Sequence, residues 1–199
     1  LANAANQAPD VALGLLSYMP FDFAIRGAAY DLTKFEDFWD VASTSAPGAF
    51  IPYILNDGVY AIPETLNFNS LIYRKDIFSS LNLDVPDTWE DVIHLLPSLQ
   101  RYGMNFYHPI AGGISIKWFY QTSTFIYQYG GSLYKEDGLS ANISSPEGIK
   151  GLSFLTELFT VYSLPEQVPI FYNSFRYGTL PVGITDFNTY LQVKNAAPE

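Results

Sequence analysis

Residues 60–76, Tyr-Ala-Ile-Pro-Glu-Thr-Leu-Asn-Phe-Asn-Ser-Leu-Ile-Tyr-Arg-Lys-Asp, constrain the fold of this chain more than any other stretch. Two short apolar runs, 59–63 and 70–73, lie either side of a polar middle, 64–69. Both runs are rich in β-branched and aromatic residues, so both read as strands. Upstream, Asn56-Asp57-Gly58 is a turn signal that predicts a hairpin between 51–55 and 59–63. Downstream, Arg74-Lys75-Asp76 opens an amphipathic segment over 77–83. Hairpin, polar bridge, strand and helix, in that order, are what a crossing between two structural units looks like.

Composition narrows the partners. Of 199 residues, 48% are hydrophobic and 15% charged, which fits a folded globule with an ample core. Twenty acidic against ten basic residues give a formal charge of -10, and no basic run exceeds Arg74-Lys75. Nucleic acid is therefore a poor partner, because phosphate binding needs a basic face. With no cysteine, disulfides and thiolate metal sites are excluded. No run approaches the roughly 18 apolar residues that a membrane-spanning helix needs. The chain opens with neither an initiator Met nor a signal-peptide pattern, and a fragment of a longer protein is expected. Fifteen Phe, 15 Tyr and 3 Trp exceed ordinary aromatic usage. An aromatic-rich core takes most of them; the rest suit a ligand cleft, where a ring offers a flat apolar face and Tyr or Trp a polar tip.

Along the chain, residues 1–8 are helix-compatible, and the continuous apolar run 11–16 predicts a strand buried on both faces. Pro20 suits the first turn of a helix whose apolar positions are Phe21, Ala24, Ile25, Ala28 and Ala29. This β-then-α order points to an α/β arrangement with a parallel strand, in which ligands sit beyond the carboxyl ends of strands. Residues 32–41 are expected to form a surface helix and 43–48 a loop. Thr88 with Asp91 resembles a capping box for a helix with the stripe Trp89, Val92, Ile93, Leu96 and Leu99, which Pro97 should kink or split. Residues 106–110 read as a strand and Ala111-Gly112-Gly113 as a loop. An aromatic helix over 117–129 ends at Gly130-Gly131, and 139–143 form a short extended piece. Ser145-Pro146 starts a helix with the stripe Ile149, Leu152, Leu155, Phe159 and Tyr162. A short helix over 171–177, a strand over 180–185 and a helix opening over 186–192 follow.

Catalytic signatures are scarce. His94 and His108 lack neighbours at metal-ligand spacing, and His94 reads as a partly buried structural residue. The Gly-Gly pairs lack the strand–glycine–helix setting of a phosphate loop, and no Gly-x-Ser-x-Gly elbow occurs. Glu64 and Asp186 are the one carboxylate pair with a glycosidase-like reading, and any acidic chain offers such pairs. Asn142-Ile143-Ser144 fits a glycosylation sequon, a match that arises easily by chance. Neither an enzyme, nor a cofactor, nor a metal centre is expected.

Seven runs in order resemble family 1 extracellular solute-binding proteins, the sugar-binding components of ABC importers. They are Ala-Pro-Asp-Val at 8–11, Gly-Val-Tyr-Ala-Ile-Pro-Glu-Thr at 58–65, Asn-Ser-Leu-Ile-Tyr-Arg-Lys-Asp-Ile-Phe at 69–78 and Val-Pro-Asp-Thr-Trp-Glu-Asp at 85–91. The others are Tyr-Gly-Gly at 129–131, Ser-Pro-Glu-Gly at 145–148 and Phe-Arg-Tyr-Gly-Thr-Leu-Pro-Val-Gly-Ile-Thr at 175–185. The resemblance implies an α/β, type II periplasmic-binding-protein-like fold with two lobes, mixed sheets flanked by helices, and closure by hinge motion. It implies that residues 1–64 are part of the amino-terminal lobe, 65–68 the hinge crossing, and 69–199 most of the second lobe. The same resemblance implies ligand contacts at Ser17 and Tyr18, beside Leu16; at Glu64 and Asn67 on the crossing; at Trp118, Phe119 and Tyr120; and at Asp186, Phe187 and Asn188. Where some members carry a carboxylate, Asn67 keeps a hydrogen-bonding role without charge. The implied function is capture of a carbohydrate for ABC permease subunits, at the surface of a Gram-positive cell, held by a lipid, or in a Gram-negative periplasm. A sensory or interaction module on the same fold is the alternative.

Overall fold

A computed structural model describes residues 9–65, 68–112 and 115–196, with side chains of the helix at Ser115–Gln128 described from Phe119 onward. The helix-compatible residues 1–8, Gly113 in the expected loop, and Asn67 lie outside the described residues. The chain divides into two compact units, residues 1–66 and 67–199.

The first unit holds two short helices, α1 (Met19–Ile25) and α2 (Phe38–Ala42), and a hairpin of β1 (Ile54–Leu55) and β2 (Gly58–Val59). Asn56 and Asp57 both take the left-handed conformation, at φ 48° and 66°, which suits a two-residue turn joining antiparallel strands. The hairpin is shorter than expected, because the 3-10 segment Pro47–Tyr53 replaces most of the first strand. Asp31 fastens it: Oδ1 accepts from the N–H and hydroxyl of Thr33 at 3.1 and 2.8 Å and from Val59 N–H at 3.2 Å. The core here is small, namely Phe38, Phe50 and Val59 with Leu32, Ala42 and Tyr53 against them.

Three expectations for this unit need correction. Residues 11–16 form no strand; they are exposed coil, with Val11 and Leu13 73% and 79% accessible and Gly14 at φ +65°. A doubly buried strand needs a ladder beside it, and the only sheet among the described residues of this unit is the hairpin. Ala28 and Ala29 fall beyond α1, which ends at Ile25. Residues 32–41 split into a 3-10 turn, Leu32–Lys34, and the short α2, because Phe38 turns inward to the core.

The second unit is built on β3 (Asn69–Tyr73), β4 (Phe106–Tyr107) and β5 (Val182–Asp186), in the order β3-β5-β4. Central β5 pairs antiparallel with β3, from Asn69 opposite Asp186 to Tyr73 opposite Val182, and parallel with β4. Helices α3 (Lys75–Leu81), α4 (Trp89–Gln100), α5 (Ser115–Gln128), α6 (Pro146–Thr160), α7 (Phe171–Tyr177) and α8 (Phe187–Ala196) flank it. One core joins Phe78, Leu96, Leu99, Phe106, Phe125, Leu158 and Val182; a second joins Ile72, Tyr107, Ala111, Val168, Phe171, Phe175 and Leu180.

Local signals hold where they are local. Thr88 Oγ1 accepts from Asp91 N–H at 3.1 Å and Asp91 Oδ2 accepts from Thr88 N–H at 2.9 Å, a reciprocal cap; the Thr88 hydroxyl donating to Oδ2 at 2.8 Å, and then the Thr88 N–H, hold the Asp91 carboxyl below its ordinary range. Ser145 Oγ accepts from Gly148 N–H, with Pro146 at the first helical position. Arg74 donates to the carbonyls of Phe175 and Arg176 at 3.1 and 2.9 Å, tying the end of β3 to the last turn of α7.

Other expectations shift. Pro97 does not split α4, which runs on to Gln100; Pro97 lies on the exposed side, where water reaches the groups it leaves unbonded. Strand 106–110 shortens to two residues because Pro109 begins a 3-10 turn, Pro109–Gly112. Residues 139–143 give only a bridge, between Tyr134 and Ala141. His94 is exposed, and the buried histidine is His108. On α6 the inward face carries Gly148, Gly151, Leu155 and Leu158, while Ile149 is 55% accessible. Glycine moves that face: a Cβ on Gly151 would lie 2.4 Å from Phe125 O, so the backbones of α5 and α6 approach as only glycine permits.

Candidate functional site

The pairing of β3 with β5 assembles the best-defined surface in the chain. With Asn69 opposite Asp186, the residues just outside that pair, Phe68 and Phe187, come face to face. Phe187 N–H donates to Phe68 O at 3.1 Å, and the rings stack with centroids 5.2 Å apart and planes 25° apart. Tyr190, one turn along α8, tilts against Phe187 at 5.3 Å. Phe68, Phe187 and Tyr190 stay 49%, 36% and 37% accessible, so the three rings form an exposed shelf beyond the carboxyl end of the central strand.

Polar groups border the shelf. Asp186 is half-buried; Oδ1 accepts from Thr189 N–H at 3.0 Å and Oδ2 from the Thr189 hydroxyl at 3.3 Å, which anchors the start of α8. Each carboxylate oxygen keeps accepting capacity beyond the one bond it makes. Asn188, the second residue of α8, is exposed. Burial pushes the Tyr107 hydroxyl above its ordinary range, and the charge of Asp186 adds to that shift. Tyr107 itself stacks on Phe171 at 4.1 Å, which stiffens the strand edge under the shelf.

The other expected residues fall in separate groups. Phe119 and Tyr120, at the start of the described part of α5, are half-exposed and pack edge to face at 5.9 Å. The side chain of Trp118 lies outside the described residues, as does Asn67. In the first unit Ser17 and Tyr18 are exposed ahead of α1, and Glu64 Oε2 accepts from Gly14 N–H at 3.0 Å. That bond brings Glu64 to the coil that leads into Ser17. Glu64 and Asp186 belong to different units. Among the described residues, no group of three or more His, Asp or Glu side chains could hold a metal ion.

Two members of the shelf escape a sequence reading. Phe68 is the single aromatic in the polar bridge, and its placement there is the signal that could have found it. Tyr190 follows Phe187 at helical spacing, a signal that means a shared face once α8 is known to start at Phe187.

An aromatic shelf with a carboxylate at its edge can stack an apolar ligand face and bond a hydroxyl group beside it. The bacterial extracellular solute-binding protein family matches residues 1–169. A multiple sugar-binding protein of Streptococcus mutans is 35% identical over 48 residues, 24% of this chain and 11% of that one. Among solved structures, an ABC substrate-binding protein from Listeria monocytogenes in complex with cycloalternan superposes with TM-score 0.75 at 23% identity, over 98% of this chain and 52% of that one. UgpB from Mycobacterium tuberculosis, in complex with glycerophosphocholine, gives TM-score 0.73 at 21% identity, over 98% and 52%. This chain thus spans about half the length of the solved proteins it resembles, and its α/β architecture is the type II periplasmic-binding-protein-like fold expected from the sequence. The chain belongs to the bacterial extracellular solute-binding protein family.

Proposed function

We propose that this chain is part of a protein that captures a carbohydrate and hands it to an ABC importer, with no bond made or broken. The observation that carries this reading is the exposed shelf of Phe68, Phe187 and Tyr190 bordered by Asp186 and Asn188. A pyranose offers an apolar C–H face to such rings and hydroxyls to the groups at their edge. Asp186 serves twice, holding α8 through Thr189 and accepting from a ligand hydroxyl. Phe119 and Tyr120 on α5, with Trp118 before them, add a second aromatic contact, and Asn67 one on the crossing. Ser17, Tyr18 and Glu64 are the ligand contacts proposed on the first unit.

In this reading residues 1–64 and 69–199 are portions of the family's two lobes and 65–68 the crossing between them. The protein works outside the cytoplasm, held to a cell surface by a lipid or free in a periplasm, and ABC permease subunits are its partners. Among the described residues, no helix is long and apolar enough to cross a membrane.

Calorimetry on a longer chain containing these 199 residues tests the reading against mono- and oligosaccharides, with glycerophosphocholine beside them. Saturable heat with a sugar is expected. Heat with glycerophosphocholine alone would correct the ligand class, and silence across the panel would remove the carbohydrate claim. The 199 residues by themselves are expected to bind more weakly than the longer chain.

A further inference from the structure

We propose that His108 is an acid-sensitive latch on the turn Pro109–Gly112: its neutral ring holds the turn closed, and protonation opens the turn while the rest of the second unit stays folded. The ring is 2% accessible, and its neighbours are the rings of Trp89, Phe125 and Phe159, with centroids at 5.9, 5.5 and 6.2 Å. Its Nδ1 accepts from Ile110 N–H at 3.4 Å, which assigns the proton of the neutral ring to Nε2. The turn is tied at both ends. Ala111 N–H donates to His108 O at 3.1 Å, and Val168 N–H donates to Ala111 O at 2.9 Å. His108 therefore packs against one core while Ala111, three residues on, belongs to the other.

Protonation changes two things together. Nδ1 gains a hydrogen and faces the Ile110 N–H as a second donor, so the bond from the ring to the turn is replaced by a donor–donor repulsion. A cation is also left inside an aromatic box, and ring faces return only part of its hydration. Among the described residues, no ionised group compensates. Glu90, Asp91 and His94 on α4, and Lys150 and Glu157 on α6, do not contribute to its shift, and the only titratable groups on α5 from Phe119 onward are tyrosine hydroxyls, beside the neutral Gln121 and Ser123. Burial is the sole cause, and it depresses the imidazole to about 4. Opening the turn lets water reach the ring and restores its ordinary affinity for a proton.

Amide exchange on the 199-residue chain, corrected for the intrinsic pH dependence, reads the opening. Between pH 7 and pH 5, protection at Ile110, Ala111 and Val168 is expected to fall about 20-fold, as linkage between a closed ring titrating near 4 and an open one near 6.5 requires. Leu155 and Leu158 on α6, which exchange only through a wider opening, should stay better protected than the turn at both pH values. In His108→Asn, which keeps an acceptor that cannot titrate, the turn should change less than about twofold. An equal loss in that variant, or turn amides protected as strongly as those of Leu155 and Leu158 on α6, would overturn the latch. Nitrogen-15 NMR of the wild-type imidazole needs no variant. A neutral Nε2–H tautomer with a midpoint below pH 5 supports the proposal; an Nδ1–H tautomer or a midpoint near 6.5 overturns it.

Discussion

Phe187 donates its backbone N–H to Phe68 and lays its ring on the same residue, so one residue both closes the sheet edge and builds the shelf. Its place at the end of the last strand was legible by resemblance. Its partner was not, because the stacking depends on the β3–β5 register, which no local pattern encodes. His108 teaches the same lesson at one residue. From the sequence, His94 is expected to be the partly buried histidine; tertiary packing exposes it and buries His108 instead. The buried one sets a pH dependence. Its folded-state pKa of about 4 lies below the ordinary 6.5, so between those values the unfolded chain binds more protons than the folded one. Stability is thus complete above 6.5 and declines as the pH falls through that window. Guanidinium denaturation should show about 2 kcal/mol less at pH 5 than at pH 7, with the difference largely absent from His108→Asn. Equal values at the two pH values would exclude this. Asp76, held below its ordinary range first by its bond to Arg74, acts in the same direction at lower pH still.

Among the elements, those announced by side chains touching their own backbone were the most legible: the Thr88–Asp91 box, the Ser145 cap and the Asn56-Asp57 turn. Elements that depend on neighbours were less so. The run 11–16 has the composition of a buried strand and no ladder to join, while the buried face of α6 is marked by glycines that an apolar stripe overlooks. Gly151→Ala tests that close approach. Alanine favours a helix over glycine by up to about 1 kcal/mol. The added methyl would meet Phe125 O at 2.4 Å and Phe125 C at 2.8 Å, backbone atoms that cannot swing aside. Overpacking of that kind costs about 1–3 kcal/mol and should win. Urea unfolding is expected to show a net loss of stability; a gain would mean that α5 and α6 can separate at little cost.

For the whole molecule, the two units differ in how much core each owns. Among the described residues, the first has one cluster of three buried apolar side chains, whereas the second has two larger clusters and a three-stranded sheet. Small cores give marginal stability, so the first unit should open at lower free energy. Limited proteolysis is expected to remove it first and leave a resistant fragment beginning near residue 67; early cuts within α4, α5 or α6 would contradict this. The chain divides at residue 66, inside the polar bridge around which strand, turn and helix signals crowd, and no local pattern encodes what the bridge presents to a ligand. The central claim is that the shelf beyond β5 binds a sugar, and NMR titration of the 199-residue chain tests it most directly because it registers weak binding. With glucose, maltose and maltotriose at millimolar concentration, ring resonances of Phe68, Phe187 and Tyr190 and the amides of Asp186 and Asn188 should shift saturably with at least one sugar. Those shifts should vanish in Phe187→Ala. Silence at these groups with every sugar, or shifts centred elsewhere that survive Phe187→Ala, would contradict it.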